Sequence, residues 1–320
     1  MFARRGMLAI LLAVAVPVGG AAVASAKDGN GAKATDKLFT LAPDPAGNPE
    51  GVAFDKVRKQ FYVSIIADGA IYRGTLGNDT VEPFIAGGDD RSAVGIKVRR
   101  GKLYVAGGDS GTITVYDLDT GATLATFETG AGGFLNDLVV TGRGDVYVTD
   151  SFRPTLWRVT AAQVRAGSGT PQALDVSAIP YDAGFNLNGI VRHDDRRFVV
   201  VDTNSGKLFR IALTADRAGI RRIDEIEGAT VPGGDGLLLD RGRLVAVQGN
   251  PQAVPTPQLS FLKLRHAARH ATLVRTRTSD LLDGPSTVAR ARGYYLVVNA
   301  DFANSATPFH DAGLLRHPAH

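Results

Sequence analysis

The stretch from Asn186 to Ile211 reads NLNGIVRHDDRRFVVVDTNSGKLFRI and contains the pattern that decides the fold. It opens with a short alternating segment, turns at Asp194-Asp195 and continues into the β-rich run from Phe198 to Val201, before a third apolar stretch. Alternation on both sides of a polar turn is typical of a β-hairpin. The stretch is therefore predicted to form a unit of antiparallel strands.

The same pattern occurs six times along the chain. The other copies are PEGVAFDKVRKQFYVSI from Pro49, SAVGIKVRRGKLYVA from Ser92, FLNDLVVTGRGDVYVTDS from Phe134, GGDGLLLDRGRLVAVQ from Gly233 and the looser GPSTVARARGYYLVVNA from Gly284. A fourth apolar stretch, such as TLATFETG, lies between successive copies. Four strands repeated at intervals of about 42 to 52 residues are typical of propeller blades. We therefore predict an all-β, six-bladed β-propeller of four-stranded blades.

The five stretches between units leave one blade without its fourth strand. KLFTLA, from Lys37 to Ala42, precedes the first unit. This N-terminal strand is predicted to join the last blade and so close the propeller without an open edge. Residues 37–320 would then be a single domain. An open β-solenoid or a sandwich is the alternative.

Residues 1–26 have the pattern of an export signal. Arg4 and Arg5 precede an apolar run from Met7 to Val18, and the small residues Ala24-Ser25-Ala26 favour cleavage after Ala26. Residues 27–36 would form a flexible N-terminal segment. We expect a secreted, extracellular protein with no membrane partner after cleavage, exported by the general or the twin-arginine route.

Composition excludes several functions. Removal of Arg4 and Arg5 lowers the formal net charge from +4 to +2, and the basic residues are scattered, so no nucleic-acid partner is expected. The chain has no cysteine, which excludes disulfides, thiolate nucleophiles and thiolate zinc sites. A monomer that acts on a small-molecule substrate is expected.

One aligned position of the six units carries the candidate chemistry. It is occupied by Glu50, Val94, Asn136, Asn188, Asp235 and Ser286. Because the opening strand of a blade lines the central channel, Glu50, Asn136, Asn188 and Asp235 should converge on the propeller axis. Two carboxylates and two amides are hard oxygen donors that suit calcium. A hydrogen-bonded polar plug of the channel is the alternative.

The runs PEGVAF, FLNDLVV with VYVTDS, NLNGIV with VVDTNSGKLFRI, and GGDGLLLD resemble the regucalcin and gluconolactonase (sugar lactone lactonase) family, and more distantly paraoxonases and diisopropylfluorophosphatase. The resemblance spans nearly the whole mature chain. It implies one catalytic divalent cation held by Glu50, Asn136, Asn188 and Asp235, with Asp235 nearest to the chemistry. Ca²⁺ is expected, with Zn²⁺ and Mn²⁺ as alternatives. Asp137 resembles the start of the second, structural calcium site of paraoxonase-like relatives, but Gly51 stands where those relatives carry another acid, so the presence of a second metal is left open.

The resemblance implies a metal-dependent hydrolase, a lactonase that acts on a sugar lactone or a similar cyclic ester. The cation would polarise the carbonyl, and Asp235 would act as general base or as nucleophile. The rival function is that of a non-catalytic secreted propeller that binds a sugar, a peptide or a partner protein.

Six residues are candidate substrate contacts. Loops after the second strands should rim the pocket on the metal side, and residues just before the ligand positions should wall it. These contacts are Phe134, Phe152, Arg153, Phe185, Asn204 and Asn250. Simple packing of the phenylalanines and solvation of Arg153 are the alternatives.

Overall fold

The computed structural model describes residues 37–43, 47–302 and 312–316. The predicted export signal, residues 1–26, and the segment 27–36 lie outside the described residues. All described residues belong to one compact unit, Ala32–His320. Over the described ranges, the chain contains no helix of the length and apolar character needed to cross a membrane.

Strands dominate the described part of the chain. In chain order they are β1 (Lys37–Leu41), β2 (Pro49–Asp55), β3 (Gln60–Ile65), β4 (Ile71–Thr75), β5 (Thr80–Ile85), β6 (Ile96–Arg99), β7 (Lys102–Ala106), β8 (Thr112–Asp117), β9 (Thr123–Glu128), β10 (Leu135–Val140), β11 (Val146–Asp150), β12 (Thr155–Val159), β13 (Gln172–Asp175), β14 (Leu187–Asp194), β15 (Arg197–Asp202), β16 (Leu208–Leu213), β17 (Ile220–Glu225), β18 (Glu227–Gly228), β19 (Gly234–Asp240), β20 (Arg243–Gln248), β21 (Gln258–Arg265), β22 (His270–Arg277), β23 (Pro285–Ala291), β24 (Tyr294–Asn299) and β25 (Ala312–Arg316). A short helix, α1 (Ala161–Ala166), follows β12 and begins at a capping box formed by Thr160 and Gln163.

The strands form five hydrogen-bonded sheets within the described residues, not the six separate sheets that the repeat predicts. Three sheets have four strands, with orders β6-β7-β8-β9, β10-β11-β12-β13 and β14-β15-β16-β17. A fourth has five strands in the order β18-β22-β21-β20-β19. The fifth has eight, in the order β2-β3-β4-β5-β1-β25-β24-β23.

The pairing of β1 explains why there are five sheets and not six. On one side β1 pairs antiparallel with β25, with Lys37 opposite Leu314. On its other side it pairs in parallel with β5, with Thr40 opposite Thr80. A single N-terminal strand therefore joins the strands of the first and the last repeat into one sheet.

The first strand of each repeat contacts the first strands of two other repeats. The contacting pairs are β2 with β6, β6 with β10, β10 with β14, β14 with β19, β19 with β23, and β23 with β2. These six inner strands thus follow one another around a closed ring. The arrangement is that of a β-propeller, in which the inner strands surround the axis.

Apolar side chains fill the space between neighbouring sheets. In one cluster, Val115 of β8 packs with Leu138 of β10 and Val148 of β11. In another, Val199 of β15 packs with Leu237 of β19. Full burial of one such side chain contributes about 1.5–3 kcal/mol to the stability of the folded state. These interfaces therefore hold the inner strands in place.

Candidate functional site

A β-bulge interrupts five of the six inner strands at the same place. The aligned residue is the second residue of each of these strands, and the register of the first hairpin shifts around it. The shifts lie between Pro49 and Val52, Leu135 and Leu138, Leu187 and Ile190, Gly234 and Leu237, and Pro285 and Val288. A bulge re-aims a side chain out of the regular alternation of a strand. Glu50, Asn136, Asn188 and Asp235 all occupy such a bulge.

Backbone carbonyls at the aligned position are contacted by a neighbouring repeat. The hydrogen bonds run from Ser64 Oγ to Val94 O (2.5 Å), from Gly95 N to Asn136 O (2.7 Å), from Thr149 Oγ1 to Asn188 O (2.7 Å) and from Ser286 Oγ to Glu50 O (2.8 Å). In each case the acceptor is the backbone carbonyl of the aligned residue itself, so these four residues lie at equivalent points of the ring.

The four predicted metal ligands share a second property. Each buries one side-chain oxygen that has no hydrogen-bond partner among the described residues. These atoms are Glu50 Oε2, Asn136 Oδ1, Asn188 Oδ1 and Asp235 Oδ1. A buried oxygen without a partner is costly, and buried charges in proteins are usually paired or coordinated to metals. The donor set therefore fits a hard divalent cation.

Two of these residues carry perturbed carboxyl groups. Burial, together with the charges of Asp235 and Asp137, raises the pKa of Glu50 well above its usual range. Burial raises the pKa of Asp235 to about 7, although a hydrogen bond with the Asn188 side chain opposes the rise. As a residue Asp235 is only half-buried, but its Oδ1 atom is enclosed, which accounts for the strong effect of burial.

Lys97 is a charged neighbour of the site that sequence reasoning missed. Its Nζ lies 2.5 Å from Oδ1 of Asp137, whose side chain is only 6 % exposed. The other carboxylate oxygen of Asp137 accepts a hydrogen bond from Ile190 N at 3.2 Å. Lys97 also opposes the rise in the pKa of Glu50. Its ammonium thus interacts with two acids, Asp137 and Glu50, and the only sequence signal for it is a lysine between Ile96 and Val98 of β6.

Asn136 is held in place by a buried serine. Its Nδ2 donates a hydrogen bond to Ser151 Oγ at 3.0 Å, and that hydroxyl donates to Leu187 O at 2.7 Å. Ser151 is fully buried and links the ligand position of β10 to the start of β14. The Oδ1 atom of Asn136 remains as the free acceptor of the amide.

The three aromatic candidates for substrate contact lie together. The ring centroids are 5.6 Å apart for Phe134 and Phe152, 5.1 Å for Phe134 and Phe185, and 5.0 Å for Phe152 and Phe185. Phe134 is buried, whereas Phe152 and Phe185 are 46 % and 42 % exposed. We call this group the aromatic corner.

The three polar candidates make internal contacts instead. The Arg153 guanidinium binds Asp150 Oδ2 through Nε at 2.7 Å and Thr129 O through Nη1 at 3.0 Å. Asn204 Nδ2 donates to Asn186 Oδ1 at 3.2 Å, and Asn250 Oδ1 accepts from Gln252 N at 2.9 Å. These contacts fix loops at the strand ends.

In the part of the chain that the structure describes, an acid cluster large enough to bind a metal without amide ligands is not found. Within the described ranges, no group of three or more His, Asp or Glu side chains is placed to hold an ion. The predicted set contains only two acids, Glu50 and Asp235, and relies on amide oxygens for the remainder.

Solved structures similar to this chain are β-propellers of several kinds. No family model and no curated protein matches the chain. A luciferin-regenerating enzyme gives a TM-score of 0.61 at 12 % identity, over 89 % of this chain and 96 % of that chain. A gluconolactonase from Xanthomonas campestris gives 0.62 at 15 % identity, over 86 % and 88 %. A WD40 β-propeller domain gives 0.55 at 12 % identity, over 85 % and 79 %. At these identities the likeness establishes the fold alone.

Proposed function

We propose that this chain is a secreted, divalent-metal-dependent hydrolase that acts as a lactonase on a cyclic ester. Glu50, Asn136, Asn188 and Asp235 would hold one cation, Ca²⁺ in the first instance and Zn²⁺ or Mn²⁺ as alternatives. The observation that carries the proposal is that these four residues, aligned by sequence alone, each bury an oxygen with no partner in the described part of the chain.

The charges around the site support a divalent ion. Glu50, Asp137 and Asp235 are close enough to interact electrostatically, and Lys97 pairs with Asp137. If all three acids are ionised, one ammonium leaves two negative charges unbalanced. A divalent cation would neutralise them, and two carboxylates with two amides form an oxygen set that suits calcium.

The residues of the site have distinct roles in the proposed reaction. A bound cation supplies Lewis-acid polarisation of the ester carbonyl. Asp235 would take the proton from the attacking water as general base, or attack the carbonyl carbon as nucleophile. Asn188 would orient Asp235 through their side-chain hydrogen bond. Glu50 and Asn136 would fix the cation from other inner strands.

A second function is compatible with the same fold. A WD40 β-propeller domain matches this chain at a TM-score of 0.55, and propellers serve many unrelated functions. The alternative is therefore a non-catalytic secreted propeller that binds a sugar, a peptide or a partner protein. In both cases the protein would be a monomer with no nucleic-acid or membrane partner.

Metal analysis and a lactone panel test the proposal together. The purified protein should contain one equivalent of divalent cation and hydrolyse at least one lactone, and a chelator should abolish turnover.

Asp235→Asn should lower kcat by about 10²–10⁴-fold, the range expected for a lost general base. Asp202→Asn, a change at a buried acid of β15, should retain activity. Metal binding without turnover would support the binding protein, and full activity of Asp235→Asn would refute the assigned role.

A further inference from the structure

The aromatic corner is an unusual piece of surface. Large apolar side chains that remain exposed are few among the described residues, and Phe152 and Phe185 are two of them. The rings of Phe152 and Phe185 contact each other and the buried ring of Phe134. Grouped exposed aromatic rings expose more apolar area to water than single residues do, and such patches often mark binding sites.

Hydrogen bonds connect this corner to the candidate ligands. Phe134 precedes Asn136 by two residues, and Phe134 O accepts a hydrogen bond from Ser151 N at 2.8 Å. Phe152 follows Ser151, whose hydroxyl accepts from Asn136 Nδ2. Phe185 is next to Asn186, whose N donates to Ser151 O at 3.1 Å. All three rings therefore belong to the end of β10 and β14 that carries Asn136 and Asn188.

Polar recognition is weak at the same rim. Arg153 directs its guanidinium to Asp150 and Thr129, and it also lies 5.0 Å from the Trp157 ring centroid. Asn204 binds Asn186, which in turn fixes its own loop by donating to Asp182 O. A polyhydroxylated substrate needs free hydrogen-bond donors and acceptors in the protein, because a hydroxyl group that is buried without a partner is costly. At this rim the Arg153 guanidinium and the Asn204 amide nitrogen already bind groups of the protein, and exposed aromatic rings stand beside them.

We propose that the substrate carries an apolar alkyl or aryl group that packs on Phe152 and Phe185, and that it is not a polyhydroxylated sugar lactone. The reaction itself rests on the proposed function, whereas the binding preference does not. Aromatic faces bind apolar groups through buried area and favourable ring contacts. This assigns the specificity of the site to the two exposed rings of the aromatic corner.

Binding of lactams, which resemble lactones but resist hydrolysis, tests the preference without turnover. The probes are an alkyl-substituted γ-lactam and gluconolactam, measured by calorimetry on the metal-loaded full chain. Trp157 is the only tryptophan of the sequence, and its Nε1 donates to Asp150 Oδ2 at 3.1 Å, so quenching of its fluorescence gives a second readout close to the corner.

The wild-type protein should bind the alkyl lactam at least about tenfold more tightly than gluconolactam. The double variant Phe152→Ser/Phe185→Ser should bind the alkyl lactam at least about tenfold more weakly than the wild type does. Val274→Ser changes a similarly exposed apolar residue of β22 and should have no effect. Equal affinity of the wild type and the double variant, tighter binding of gluconolactam, or no binding of either lactam would overturn the inference. Selective lactam binding without hydrolysis of any lactone would instead refute the proposed reaction and leave the inference standing.

Discussion

Gly189 lies directly against the backbone of Asp235. A Cβ atom at Gly189 would stand 2.3 Å from Asp235 O and 2.7 Å from Leu237 N. The glycine is required by this close approach and not by a left-handed backbone, since its φ lies outside the positive region. The contact brings β14 and β19 together where the side chains of Asn188 and Asp235 share a hydrogen bond.

Gly189→Ala is therefore expected to destabilise the protein. The added methyl group meets backbone atoms, which cannot rotate away, and overpacking of this kind costs about 1–3 kcal/mol. Urea unfolding followed by circular dichroism measures the loss. Gly293→Ala is the matched control, because a Cβ at Gly293 meets nothing within 4 Å. Equal midpoints for the two variants would contradict the close approach.

Ser151→Ala is expected to weaken metal binding more than it weakens folding. Ser151 supports Asn136 from outside the ligand set, and loss of such a supporting contact typically costs 10–100-fold in metal affinity. The control is Ser64→Ala. Ser64 also bridges two inner strands, from Gly51 N to Val94 O, but it bonds to backbone atoms only.

Calorimetric titration with Ca²⁺ and thermal unfolding of the metal-free proteins separate the two effects. Both variants should lose about 1–2 kcal/mol of stability, and only Ser151→Ala should lose affinity by the expected factor. An unchanged affinity in Ser151→Ala would show that Asn136 needs no support from Ser151, or that it binds no ion.

The sequence was sufficient to predict the repeated hairpins, because alternation and turn residues are local signals. Alignment of the repeats also found the position that the bulges later mark, at Glu50 and Asn188 for example. The number of separate sheets was wrong, since the two-sided pairing of β1 with β25 and β5 depends on contacts between distant parts of the chain. The predicted role of β1 in closing the propeller stays a prediction.

Side-chain partners were harder to predict than the ligand positions. Arg153 could be named as a rim residue, but its commitment to Asp150 and Thr129 follows from how two loops meet. Lys97 was missed because the lysine and Asp137 belong to different repeats, forty residues apart. Regular intervals along the sequence reveal which positions of successive repeats are equivalent. The two residues of an ion pair between repeats are separated by no fixed interval, so alignment of the repeats does not find them.

Lys97→Met tests the ion pair with Asp137. The variant leaves a buried carboxylate without its partner, which should destabilise the protein by about 2 kcal/mol, the lower end of the range for truncated charge pairs, since the lysine side chain remains 28 % exposed. Asp137→Asn should also destabilise it by leaving the ammonium unpaired. The double variant should recover part of the loss, with a coupling energy of at least about 1 kcal/mol. Strictly additive losses in urea unfolding would mean that the two charges do not interact.

His193 should make the stability of the protein depend on pH below neutrality. Burial lowers the pKa of His193 from its ordinary value of 6.5; Arg197 and Arg210 act in the same direction, and Asp194 opposes them. Its Nδ1 is buried and has no hydrogen-bond partner within the described ranges. The unfolded chain then binds a proton at a higher pH than the folded one does, so stability falls as the pH drops through 6.5.

His193→Gln removes this contribution. Between about pH 7.5 and about pH 5.5, the interval in which histidine titrates, the variant should lose less stability than the wild type when both are unfolded in urea with chelator present. Glu50 and Asp235, whose pKa values are raised, change stability in the opposite direction with pH. Because both proteins share those acids, the difference between the two profiles isolates His193. His266→Gln, a change at an exposed histidine, is the control and should have the same dependence of stability on pH as the wild type. If the stability of all three proteins depended on pH in the same way, His193 would be protonated as readily in the folded state as in the unfolded one.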